Sequence, residues 1–431
     1  MTGGRGSVRL WLVFAGAALP RLAYLLLARP AFEGYHWMVA ETLLRQGVIG
    51  FEGLPSAAYD PLYAVWLSLA RWISGDRILV VQALQACIDA VGAVGVFVLA
   101  TSLTGRRRAA LLAAALYASY PLLVHHAVVA DEFSLLSVLL IAFAATVVSG
   151  ATVRHAALAG VWLGLAILTR SMVAPLVGLT AGLLLLDRRY MAALVLVATT
   201  VAVVSPWVVR NHALTGSVWP TRGGENLYHG NSPYTAALLP EYNTDLLWEH
   251  GAAIVRQQRP DLFDPAAEAG LDRFYMALAW NGMRAHPVDA GRLMLMKAVY
   301  FFWPRLVPSR VRRDETQVVF EPGGRVRVTD SPSRPLLEEI GYSVPYAIVL
   351  SAALGGVWRR RASLRRDAVL WCIVLTFTAT AAIFFPATRY RVPMEFVLLF
   401  YAAVALDALM DSFRATSDKI ACKSTESVRL I

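Results

Sequence analysis

Apolar runs of close to twenty residues, separated by short Arg-bearing turns, recur along most of this chain. A helix rising ~1.5 Å per residue needs about 20 residues to cross ~30 Å of hydrocarbon, so each run has roughly the length of a membrane span. Ten are readable, at 10–28, 78–102, 109–125, 133–149, 156–169, 172–186, 191–209, 342–357, 368–385 and 392–410. The flank before the first, MTGGRGSVR, lacks a small-residue cleavage site, so that run reads as a retained helix. Two shorter aromatic segments, 61–73 and 292–304, are interrupted by Arg71 and Lys297. They read as helices lying in the outer interface, where Trp and Tyr are favoured.

The pattern predicts an all-α fold: a polytopic transmembrane helical bundle of about 10 to 12 spans, with outer-face interfacial helices and one longer outer loop region. One domain covers 1–415 and a cytoplasmic tail covers 416–431. Composition agrees, since 57% of the 431 residues are hydrophobic and 16% charged, against about a quarter charged in soluble domains. The formal charge of +10 lies in short clusters, Arg106 to Arg108, Arg188 with Arg189, Arg359 to Arg361, and Arg365 with Arg366. Such clusters between apolar helices follow the positive-inside rule and exclude nucleic acid as the partner. They place both termini in the cytoplasm of a multi-pass protein of the cell membrane, with loops 29–60 and 210–291 facing outward. Cys87, Cys372 and Cys422 form no disulfide or metal-type spacing.

Candidate chemistry gathers in the outward segments, which carry FEGYHW, SAAYDPLY, HHAVVADE, LTRSM, PWVVRN, RGGENLYHGN and PATRYRVP. Gln82, Gln85 and Asp89 share a face of the second span and read as an interhelical hydrogen-bond cluster or a substrate contact. His125 and His126 near Asp131 and Glu132 could hold a divalent metal, yet such histidines more often only hydrogen-bond, so neither a metal nor another cofactor is predicted. The glycines of RGGENLYHGN lack the strand-to-helix setting of a phosphate loop, which argues against nucleotide binding.

PWVVRN followed by RGGENLYHGN, with PLY after a first-loop carboxylate and RYRVP near the C-terminus, resembles glycosyltransferase family 39 over about residues 15 to 405. These are the bacterial relatives of protein O-mannosyltransferases and aminoarabinose transferases, C-type membrane glycosyltransferases. The resemblance implies an enzyme that moves a sugar from a polyprenyl-phosphate donor to an acceptor protein, lipid or glycan at the outer membrane face. It places Arg210, Lys297, Arg389 and Arg391 toward the donor phosphate, a role that suits bidentate guanidinium groups. Interfacial anchoring is the alternative for each cation. Tyr59, Asn226, Tyr228, Asn231 and Tyr390 are the candidate substrate contacts, although an aromatic belt at the interface needs no ligand.

The family's usual first-loop carboxylate is replaced here by Phe32, with Glu33 directly after it. Glu33 becomes the candidate general base, with Asp60 as substitute and Glu132 matching a common family acid at the head of the fourth span. Helix capping would equally account for Asp131 and Glu132. Two other functions compete. A transporter or flippase for lipid-linked glycans would also need many helices, but paired halves with broken helices are absent from the sequence. A catalytically inactive, lipid-glycan-binding homologue would account for Phe32.

Overall fold

The computed structural model describes residues 9–32, 34–150, 152–310, 316–330 and 334–428. Its first half contains α1 (Leu10–Ala28), α2 (Tyr35–Gln46), α3 (Pro61–Ser74), α4 (Ile78–Thr104), α5 (Arg107–Ser119), α6 (Pro121–His126), α7 (Phe133–Ser149), α8 (Val153–Thr169), α9 (Pro175–Leu186) and α10 (Tyr190–Thr215). There follow α11 (Gly223–Asn231), α12 (Thr235–Leu238), α13 (Leu247–Gln258), α14 (Glu268–Ala285), α15 (Pro287–Phe301), α16 (Leu336–Arg359), α17 (Ala368–Ile383) and α18 (Glu395–Val428). Among the described residues, α1, α4, α10, α16 and the stretch 388–416 are long and apolar enough to cross a membrane. Shorter apolar helices are α7, α8, α17 and residues 171–186. The protein is therefore a membrane-embedded helical bundle.

Apolar burial orders the bundle from the inside out. The stretch 388–416 is 72% buried over its most apolar window, whereas α1 and α10 are 22% buried and turn Leu26, Leu27, Leu194 and Val201 outward. Outward apolar side chains on spanning helices are the expected contact with lipid tails. Close packing comes from small residues: a Cβ on Gly160 would fall 2.7 Å from the Leu196 carbonyl oxygen and one on Gly164 2.7 Å from Val203 Cβ. This Gly-x-x-x-Gly stripe lets α8 and α10 meet backbone to backbone.

Polar ties fix the two ends. At one, Arg106 and Arg108 pair with Asp407 and Asp411 of α18, Arg360 with Asp367, and Arg365 with Asp187. The Arg clusters of separate turns thus converge on a single end of the bundle. Inside it, Arg21 of α1 meets Asp89 of α4 at 2.5 Å, with Tyr117 donating to the same carboxylate at 3.1 Å. Gln82 donates to the Pro30 and Val128 carbonyls and Gln85 to Val129, clasping turns at the opposite end. Asp89, with Arg21 and Tyr117, and Gln85, accepting from Tyr63 of α3 at 2.8 Å, make interhelical bonds, one of the two expected roles, while Gln82 ties turns.

The regions between spans depart from a loop reading. α10 continues to Thr215, so Arg210 sits in a helix, and residues 223–285 fold into α11 to α14. Two antiparallel hairpins add a little sheet, β1 (Gly50–Phe51) with β2 (Leu54–Pro55) and β3 (Gln317–Glu321) with β4 (Arg325–Asp330). The tail from 416 continues α18 to Val428, and residues 429–431 lie outside the described residues.

Candidate active site

At the end opposite the Arg clusters, five chain segments converge: α2, the turn before α3, the turn before α7, the turn after α8, and the 3-10 stretch Thr388–Met394 before α18. Local sequence turns their acids inward. Asp60 stands at the N-cap of α3, before Pro61 at the first helical position, yet its carboxylate does not cap that helix. It accepts instead the backbone amide of Ser171 at 2.8 Å. Glu132 likewise precedes α7 without capping it. Asp131 takes that work, accepting the Phe133 amide at 3.2 Å while it pairs with His126. Glu132 is freed to bind His36 Nε2 at 2.5 Å and the Arg170 guanidinium.

Arg170 follows α8, and its guanidinium stands 5.3 Å from the Tyr390 ring and 5.7 Å from Phe133. Tyr35 stacks between His36, at 3.9 Å between centroids, and Tyr59, at 4.7 Å. The Tyr59 hydroxyl accepts from Arg222, which also meets Glu225 at 3.2 Å. Arg389 completes the ring: it donates weakly to the Tyr390 hydroxyl at 3.4 Å and pairs with no carboxylate among the described residues.

Glu132 and Asp60 carry different burdens. Burial alone would push Glu132 up, but Arg170 and His36 hold it well below the usual carboxylate range. It is a fixed anion and a weak base. Burial pushes Asp60 up to about 6, against the opposing Ser171 amide and Arg170 charge. Asp60 has no ion-pair partner among the described residues and a proton affinity close to neutrality, the condition under which general-base catalysis is efficient. Burial raises the Tyr35 phenol, and the Glu132 charge raises it further, so Tyr35 stays a neutral donor.

Of the residues singled out from sequence, Asp60, Glu132, Tyr59, Arg389 and Tyr390 meet in this cluster. Glu33 lies outside the described residues. Arg210 donates to the Ser56 and Ile49 carbonyls at 2.6 and 3.0 Å and braces the first hairpin. Lys297, fully buried, donates to the Gly230, Ile383 and Phe384 carbonyls and to Asn231 Oδ1. Its donors are spent on these carbonyl and amide oxygens, and burial lowers its ammonium to about 7. Arg391 is 1% exposed, bound to Glu395 at 2.7 Å and to the Phe301 carbonyl at 2.6 Å. Asn231 donates to Leu227 and Ile383, and Tyr228 is buried against Tyr275 with its hydroxyl on His250. Asn226 lies in α11, the helix that Arg222 heads.

His36, Arg170 and Arg222 join the cluster without having been singled out. Their signal was present: each lies in a quoted outward segment, and Arg170 interrupts two apolar helices. The two histidines weighed as metal ligands are separately engaged, His125 with Tyr24 at 3.0 Å and His126 with Asp131.

No family model matches this chain, and no curated protein matches it. Among solved structures it is similar to the archaeal oligosaccharyltransferase AglB from Archaeoglobus fulgidus in complex with an inhibitory peptide and a dolichol-phosphate. Identity is 14% and the TM-score 0.49, over 95% of this chain and 52% of that one. The apo form of the Archaeoglobus fulgidus enzyme gives 16% and 0.49, over 96% and 52%. ArnT from Cupriavidus metallidurans bound to undecaprenyl phosphate gives 16% and 0.43, over 93% and 79%. The chain spans about half the length of the oligosaccharyltransferase.

Proposed function

We propose that this chain is a membrane glycosyltransferase of the family 39 type, moving a sugar from a polyprenyl-phosphate donor to an acceptor at the outer membrane face. The observation that carries this reading is the placing of a buried carboxylate, Asp60, and a guanidinium, Arg389, neither of which has an ion-pair partner among the described residues, around one aromatic cluster at one end of the spanning helices. A polyprenyl phosphate keeps its isoprenoid in the bilayer and its anion at this level, where Arg389 and Arg222 can take phosphate oxygens as charge-assisted donors. An acceptor hydroxyl attacks the anomeric carbon, the bond from that carbon to the phosphate oxygen breaks, and polyprenyl phosphate leaves. The hydroxyl proton passes to Asp60. Glu132, locked between His36 and Arg170, positions Arg170 and the Tyr35–Tyr59 stack without moving a proton.

The test is mass spectrometry of cell-envelope glycans and glycoproteins from cells with the gene intact, deleted, and restored as wild type or Asp60→Asn. A sugar lost on deletion, regained with wild type and still missing with Asp60→Asn, supports the assignment. An unchanged glycan profile on deletion contradicts it. Restoration by Asp60→Asn but not by Glu33→Gln would move the base to Glu33.

A further inference from the structure

A cavity of about 870 Å³ opens at the Arg-rich end, far from the cluster just described, between α7, α8, α9, α10 and α17. Its inner wall is apolar, with Val147, Ala159, Leu183 and Leu196, and its mouth carries Arg189, Arg365 and Arg366. The carboxylate at the mouth, Asp187, is neutralised by Arg365 at 2.5 Å, and Arg366 also donates to the Ser102 carbonyl at 2.6 Å. Arg189 has no ion-pair partner among the described residues. His155 also lines the cavity, hydrogen-bonded to Thr152 at 2.7 Å, and a Cβ on Gly150 would lie 2.6 Å from its ring. That glycine leaves room for the imidazole at the rim.

We propose that this cavity is a lipid site, taking the phosphate headgroup of an anionic phospholipid at the Arg189 and Arg366 mouth and an acyl chain along the apolar wall. Volume, amphipathic lining and cationic mouth agree on that occupant: cavities of a few hundred to about 1,000 Å³ hold lipid-sized groups, and basic pockets between spanning helices select anionic headgroups. The site shares no residue with the transferase cluster and stands whether or not that reading holds.

The test is native mass spectrometry of the full chain in detergent, titrated with dioleoylphosphatidylglycerol, with dioleoylphosphatidylcholine and glycerol phosphate as competitors. Phosphatidylglycerol is retained, and neither competitor displaces it at matched concentration. Arg189→Gln combined with Arg366→Gln weakens retention by roughly thirtyfold, from about 1 kcal/mol per cationic side chain near a charged lipid surface. Ala362→Trp, at an exposed position on the mouth, blocks entry and abolishes retention even if the double variant fails to fold. Equal retention of phosphatidylcholine, displacement by glycerol phosphate, or unchanged affinity in the blocked variant would overturn the proposal.

Discussion

Asp60 lies 2.8 Å from the backbone amide of Ser171, and that bond brings its carboxylate within electrostatic reach of Arg170 without pairing it. Arg170 is already committed to Glu132. The site therefore holds one carboxylate with its charge neutralised and one left available for a proton.

Replacing Asp60 by Asn keeps the shape and the acceptor for Ser171 but removes the base. Sugar transfer should fall by roughly 10² to 10⁴ with donor binding little changed. Because burial raises this carboxyl to about 6, wild-type turnover should rise with pH through about 6, as Asp60 loses its proton, and then level off. A pH–rate profile without that limb would remove Asp60 from the role.

Glu132 should behave as a structural anion. Glu132→Gln leaves the half-buried Arg170 without its counter-charge, at a cost below the about 3–5 kcal/mol of breaking a fully buried pair. The loss should appear as a lower melting temperature in detergent as well as in turnover. Its partners lower its pKa, so its contribution is fully present above the ordinary carboxylate range and fades only as pH falls toward the depressed value. A variant as stable as wild type would show that the pair does not hold the site.

Phe32 packs at 5% exposure with Trp37, Ala40, Tyr63 and Leu67. Phe32→Asp would bury an unpaired carboxylate in that apolar cluster, so it should destabilise the fold and fail to rescue an Asp60 variant. Rescue of transfer by Phe32→Asp would mean that the loop readily repacks to present a carboxylate there.

Within the bundle, Arg21→Met alone strands Asp89 and should cost about 3–5 kcal/mol, whereas Arg21→Met with Asp89→Leu should recover most of it. Thermal melts of the single and double variants decide this. Equal losses in both would assign the effect to packing.

The spans were legible because hydrocarbon thickness imposes a length on every apolar run: 133–149 was read from sequence residue for residue as α7. The partners of individual cations were not. Arg389 and Arg391 stand two residues apart in one motif, but the 3-10 turn sends Arg391 into the core against Glu395 and leaves Arg389 at the cluster. Nothing in RYRVP separates them, because the difference arises from tertiary contacts with α15 and α16. Lys297 was misleading for a related reason: a lysine interrupting an aromatic helix looks like a phosphate ligand until its acceptors prove to be backbone carbonyls. The β3–β4 hairpin has a local signal, alternating VVF and VRV around two glycines at φ of 80° and 74°, that is short beside the apolar runs of the spans.

Binding of undecaprenyl phosphate to the purified full chain, followed by native mass spectrometry, decides whether Arg389 takes a lipid phosphate. Wild type should bind the lipid, Arg389→Ala should weaken binding by about tenfold or more, and Arg389→Lys should restore it only in part, since an ammonium cannot supply the guanidinium fork. Arg391→Lys, which alters a cation already paired with Glu395, should leave lipid affinity nearly unchanged in the folded fraction. Equal affinity in wild type and Arg389→Ala, or no binding of the lipid at all, would mean that Arg389 is not a phosphate ligand.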